Sequence, residues 1–233
     1  MTLSIARTVI TLPRRAGGDV WYLFGRALTA GLARLLLELD VAGQDAIPAG
    51  AKVLACNHPT TIDPVLMTLL VPEPVSILIS ETLFKLPVLG PSLRWSGHIR
   101  VVHAAGRGAF EAGLARLEAG RTVGVFPEGA LSPAPGRLAP LHSGAVRLAM
   151  ASGVPIIPVG AAPQAEKVRR IDTLVDGQVE HGAWLWQGKY ALSVGRPFWP
   201  QGSPDDRAQV ARQTAELGAR IARLAEESQR RIK

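Results

Sequence analysis

Between residues 52 and about 162 the chain alternates short apolar runs with segments of helical spacing, and few folds accept that order. "AKVLACNH", "VSILIS", "TVGVFPEG" and "VPIIPVGAA" are apolar runs of strand length. Between them lie residues 65 to 70, "AFEAGLARLEAG" (109 to 120) and "SGAVRLAMASG", where apolar residues recur with helical periodicity. Gly120 and Gly153 stand where helix stops belong. Strands separated by helices pair in parallel, because each helix returns the chain to the starting end of the sheet. The expected fold class is therefore α/β: a mixed, largely parallel central sheet flanked by helices. The prolines in "VPIIPVGAA" place that strand at an edge, a bulge or a strand end.

The last third changes character. "WLWQGKYALSVGRPF" is strand material, and "DDRAQVARQTAELGARIARLAEESQRR" is one long terminal helix opened by Ser203-Pro204. At the other end, "VWYLFGRALTAGLARLLLEL" (20 to 39) is an apolar helical pattern broken by Arg26, Arg34 and Glu38. It falls short of the roughly 20 uninterrupted apolar residues a span requires. Its early aromatics and later arginines suit a helix lying in a membrane interface, and equally one buried against its own domain. "MTLSIARTVITLPRR" has an arginine within its apolar run and no small-residue cleavage site, so it reads as neither a signal peptide nor a span. With no repeat or low-complexity linker, the organisation expected is a helical membrane-docking extension (1–45) and one α/β unit (46–233).

Composition narrows the partners. Hydrophobic residues at 47% and charged residues at 19% exclude a disordered chain. Lys and Arg outnumber Asp and Glu by 26 to 19, and the sequence pI is about 10.3, which suits anionic lipid or phosphorylated substrates. Nucleic acid is disfavoured: aromatics are 5%, and no basic run is interleaved with stacking residues. Cys56, the single cysteine, rules out a disulfide framework and a cysteine metal cluster.

The corner "CNHPTTIDP" carries the chemistry. On one α-helix, His58 and Asp63 would lie about 140° apart around the axis, so cooperation requires a bend between them. Pro59 and Pro64 are tolerated at turns and in first helical turns, which puts His58 on the turn and Asp63 in the first turn of the next helix. Thr61 is placed to cap that helix. In this arrangement the carboxylate holds one imidazole nitrogen and the other faces a substrate hydroxyl, while the helix start favours nearby phosphate. A structural His–Asp contact is the competing reading of the pair alone.

Further blocks follow in order. "NHPTTIDP" resembles the His-four residues-Asp motif of the glycerophospholipid acyltransferases. "ETLFKLPVLGPSLRWSGHIRVV" resembles that family's second block, "FPEG" (126 to 129) its third and "GVPIIPVG" (153 to 160) its fourth. The resemblance spans residues 57 to 160 and points to the bacterial enzymes acting on 1-acylglycerol-3-phosphate. It implies transfer of a fatty acyl group from an acyl-carrier-protein or coenzyme A thioester to a lipid hydroxyl, with His58 as general base and Asp63 orienting the imidazole. Lys85, Arg100, Glu128 and Gly129 are implied as acceptor-binding residues, Glu128 and Gly129 alternatively as scaffold. No cofactor or metal is implied, and the setting is the cytoplasmic face of a membrane, peripheral or monotopic, with membrane lipids as partners. A covalent serine route is not expected, since no Gly-x-Ser-x-Gly elbow occurs.

Two departures stand out. The third block usually continues Thr-Arg-Ser, whereas Leu131 stands at the arginine here; in the second block His103 stands where an arginine is usual. Arginine grips phosphate in a bidentate manner that leucine cannot. Arg100, Arg107, Arg137 or Lys85 are candidate replacements. The alternatives are another lysophospholipid, an ornithine lipid or glycolipid precursor as acceptor, or a non-catalytic lipid-binding homologue. Cys56 near His58 also admits a thiol nucleophile, against a small buried hydrophobe. Ser143 reads as an N-cap, and His98 and His181 have no partner visible in the sequence.

Overall fold

The computed structural model describes residues 16–103, 105–134, 136–175 and 178–233, so the reading of the first fifteen residues lies outside the described part. Its helices are α1 (Ala16–Leu36), α2 (Asp63–Thr68), α3 (Glu81–Phe84), α4 (Leu89–Trp95), α5 (Gly106–Glu118), α6 (Gly144–Ser152) and α7 (Arg207–Arg231). Its strands are β1 (Leu37–Ala42), β2 (Val53–Cys56), β3 (Val75–Ser80), β4 (Ile99–Val101), β5 (Thr122–Val125), β6 (Ile156–Pro163), β7 (Arg169–Val175), β8 (Gln178–Trp184) and β9 (Gly188–Val194).

Seven strands form one sheet in the order β1-β9-β6-β2-β5-β3-β4. The five from β6 to β4 are parallel, and β9 runs antiparallel to β6 with β1 parallel to β9. β2, β5 and β6 are buried on both faces, which is why they read as unbroken apolar runs. Alternation along β2 divides the core: Leu54 and Cys56 meet Leu66 and Met67 of α2, while Val53 and Ala55 meet α6 and α7.

This two-sided wrapping fixes where a ligand can sit. The chain leaves β2 into α2 on one face and leaves the neighbouring β5 towards α6 on the other. Adjacent strands whose connections diverge in this way open a crevice at their carboxyl ends. The residues after β2 are Asn57 and His58; those after β5 are Phe126, Pro127 and Glu128.

Three expectations are corrected. Of the placements expected for the "VPIIPVGAA" prolines the edge does not hold, because β6 lies between β2 and β9; Pro155 just before β6 and Pro163 at its end are strand-end positions. Pro158 is accommodated because it lies one residue outside the β6–β9 ladder, which begins at Val159↔Val194, so its missing N–H costs no rung. The helix read through residue 39 ends at Leu36, and Leu37–Ala42 joins the sheet as β1, so the sheet draws residues from both sides of residue 45. Thr61 does not cap α2; its hydroxyl accepts from Ala183 N–H and its own N–H donates to Ala183 O, tying the corner to β8.

Candidate active site

His58 and Asp63 meet across the corner, with Nδ1 of His58 2.9 Å from Oδ2 of Asp63. The bend that permits this is closed locally: Asp63 N–H donates to Thr60 O, while Thr60 N–H donates back to Asp63 Oδ2 at 2.8 Å. The other carboxylate oxygen, Oδ1, accepts from the hydroxyls of Thr60 and Tyr190. Asp63 is only 3% exposed, so its charge is sustained by these donors rather than by water. α2 is six residues long, and it is Asp63 itself, not a phosphate, that meets the Thr60 amide.

Tyr190 comes from β9. Because β9 runs against β6, its early residues lie at the carboxyl end of the parallel strands, beside the corner. Burial, then the neighbouring Asp63, pushes the Tyr190 phenol well above its usual range, so it stays a donor. The His58 ring stacks on Phe126 with 4.2 Å between centroids and 22° between planes. With Nδ1 committed to Asp63, Nε2 is the nitrogen that can exchange a proton with a ligand.

The backbone of His58 is held by the loop after β5. Its N–H lies 3.0 Å from Glu128 Oε1 and 3.1 Å from Ser132 Oγ, and its carbonyl accepts from Ser132 N–H. Glu128 also accepts from the Ser132 hydroxyl and, through Oε2, from Ala139 N–H. Both carboxylate oxygens of Glu128 are thus engaged inside the protein. Gly129 has φ 70°, and a Cβ there would lie 2.9 Å from the His142 ring, so only glycine closes this turn without moving His142. On the far side, the Asn57 side chain accepts from Ala161 N–H and donates to Ala161 O, locking the corner to β6.

A model of the family described as Acyltransferase matches residues 38–162, more than half of the 233 residues. The chain belongs to the acyltransferase family. Among solved structures, the acyltransferase is similar to the crystal structure of the 1-acyl-sn-glycerophosphate (LPA) acyltransferase PlsC from Thermotoga maritima. The identity is 23% and the TM-score 0.63, over 90% of this chain and 78% of that one, a likeness of fold. No curated protein matches the chain.

The remaining candidates are scattered across the acyltransferase. Lys85 is the exposed residue that ends α3. Arg100 is exposed on β4, three strands from β2 and so about 14 Å across the sheet at the usual strand spacing. Arg107 pairs with Glu111 on the exposed side of α5, and Arg137 is exposed in the loop after β5. Cys56 points into the core, where burial, then Asp63 and Glu128, raise its thiol well above the ordinary value; a thiolate nucleophile is not supported. Ser143 holds the N-cap position of α6, but its hydroxyl accepts from Arg147 Nε instead of a backbone amide. Among the described residues no group of three or more His, Cys, Asp and Glu is arranged to hold a metal ion.

Sequence reasoning missed Tyr190, Thr60 and Ser132. Thr60 lies inside the first quoted block and Ser132 three residues after the third, but their hydroxyls acquire a role only once the turns close. Tyr190 stands 127 residues from Asp63 and reads as ordinary core.

Proposed function

We propose that the protein transfers a fatty acyl group from an acyl-carrier-protein or coenzyme A thioester to the hydroxyl of a lysophospholipid, with 1-acylglycerol-3-phosphate as the foremost acceptor. The observation that carries this reading is the His58–Asp63 contact, set at the crevice between β2 and β5, with Nε2 of His58 bound to no partner among the described residues. His58 Nε2 takes the proton of the acceptor hydroxyl as its oxygen attacks the thioester carbonyl. Asp63 holds the Nδ1–H tautomer and stabilises the imidazolium. The tetrahedral intermediate collapses with loss of the thiolate, which recovers the proton from His58. Tyr190 and Thr60 keep Asp63 in place through the cycle.

Docking on a membrane belongs to the same proposal. The outward face of α1 carries Val20, Phe24, Leu28, Leu32 and Leu35 in one stripe, and Trp21 packs edge-to-face on Trp95 of α4 at 5.6 Å. Among the described residues no helix is long and apolar enough to cross a membrane, so this surface would lie in the interface. Arg26 of this helix is turned to the protein, where it donates to Pro72 O.

The test incubates wild type and His58→Ala with both donors and a panel of lysolipids, and identifies products by mass spectrometry. A loss of roughly 10²- to 10⁴-fold in the variant is expected. Full activity of His58→Ala would sink the base role.

A further inference from the structure

The β7–β8 hairpin meets the corner at Ala183, which is buried and exchanges two hydrogen bonds with Thr61. Leu185, two residues on, packs in the core cluster that α1 enters with Ala33 and β1 with Leu37. Side chains alternate along an extended chain, so Trp184 and Trp186 turn the other way, out of the protein. There they stack on each other, with 5.2 Å between ring centroids and 6° between planes, and Trp186 is 59% exposed.

This indole pair continues along the hairpin. A Cβ on Gly182 would stand 2.6 Å from Nε1 of Trp184, so the missing side chain is what lets the indole lie over this position. Across the ladder from Gly182 is Ile171, itself exposed. Two exposed cations border the strip: Arg169 stands opposite Trp184, and the Lys167 chain lies over Gly188. Glu180, on the same face, lies opposite Thr173 and nearer the tip. Indoles settle at headgroup depth, and cations on long apolar stems reach phosphate from there, so this strip matches the surface of an anionic bilayer.

The bare stripe of α1 lies on the same side of the sheet. Ala33 and Leu185 point into one core cluster, so the residues turned away from each face outward together. Leu66 and Met67 of α2 share that cluster, and Thr61 is bonded to Ala183, which ties the His58–Asp63 corner to both surfaces.

We infer that the β7–β8 hairpin is a second membrane contact, its Trp184–Trp186 pair lying with α1 in the interface of an anionic bilayer and holding the corner against the surface from which a lipid acceptor comes. The inference rests on the membrane docking proposed above and adds the element that completes it.

The experiment measures cosedimentation with phosphatidylglycerol vesicles for wild type, Trp186→Asp and Trp186→Phe, with melting temperature and acyl transfer in detergent micelles recorded for each. Trp186→Asp weakens vesicle binding roughly 10-fold, the scale of one indole returned to water, while Trp186→Phe keeps most of it. Melting temperature and micellar activity stay at the wild-type level. Because Cys56 is buried, the exposed Gln187→Cys takes a polarity-sensitive fluorophore at one place, and its emission shifts to the blue on vesicles. Should Trp186→Asp melt early, that label decides alone. Unchanged vesicle binding, or a label that stays in water, overturns the inference and leaves docking to α1. A Trp186→Asp loss confined to the acyl-carrier-protein donor in micelles overturns it too, and assigns the indoles to the carrier. A wild type that ignores the vesicles overturns this contact and the α1 docking together, while transfer in micelles would leave the acyltransferase reading standing.

Discussion

Asp63 accepts four hydrogen bonds while almost wholly buried: two at Oδ2 from His58 and the Thr60 amide, two at Oδ1 from the Thr60 and Tyr190 hydroxyls. A carboxylate so confined cannot turn away from the imidazole, so the tautomer of His58 is set before any ligand arrives. Tyr190→Phe removes one of these donors and keeps the ring. Its expected effect is a fall in kcat of roughly 10-fold with little change in KM, the scale of one hydrogen bond to a charged group. Steady-state kinetics with a saturating donor check this, and an unchanged kcat would show that Thr60 alone suffices. The His58–Asp63 pair was legible in the sequence because both lie within one short motif bounded by prolines. Tyr190 was not, since a tyrosine among "KYALSV" carries no local sign that its hydroxyl will find a carboxylate.

Among the elements, α7 and α1 show opposite solutions for an apolar face. α7 lies on β6 so closely that a Cβ on Gly160 would stand 2.1 Å from the backbone at Leu224 and Ala225. Gly160→Ala therefore forces the helix away, at a cost of about 3 kcal/mol or more, read as a fall of roughly 6–12 °C in melting temperature. A melting temperature within 2 °C of wild type (roughly half a kcal/mol) would mean that α7 shifts freely. α1 buries Tyr22, Ala30 and Ala33 but leaves its second stripe bare, with Phe24 62% and Leu35 80% exposed. Replacing Phe24 and Leu28 together by Asp should abolish cosedimentation with phosphatidylglycerol vesicles while activity in detergent micelles persists. Undiminished vesicle binding would assign the docking role elsewhere. The terminal helix was readable from its periodicity, and so was the helical run of α1. The handover from α1 to β1 at Leu37 was not, because "LLLELDVA" suits helix and strand alike until β9 is available to pair with it.

For the molecule as a whole, acid sensitivity has an identifiable source at the far end of the sheet. Burial lowers the pKa of His98 from 6.5 to about 4, and its Nδ1 accepts from the Ile77 N–H, which requires a neutral ring. The unfolded chain binds this proton at higher pH than the native one, so stability falls as the pH drops from 6.5 towards 4. The loss attributable to His98 is up to about 3 kcal/mol. Urea midpoints at pH 7 and pH 4.5 measure it, and His98→Asn should show a smaller difference between the two. An equal difference in the variant would assign the acid sensitivity to other groups.

The sequence by itself determined the α/β class, the order of strands and helices through the middle of the chain, and the pairing of His58 with Asp63. These follow from hydrophobic period, proline positions and residues close along the chain, all local quantities. Only the tertiary structure decided that β6 is interior, that β1 and β9 run against the other strands of the main sheet, and that Tyr190 arrives at the corner from the last third of the chain. The direction of β9 is set by how a whole sheet buries its faces, and no neighbouring residue encodes it. That single reversal puts Tyr190 beside Asp63.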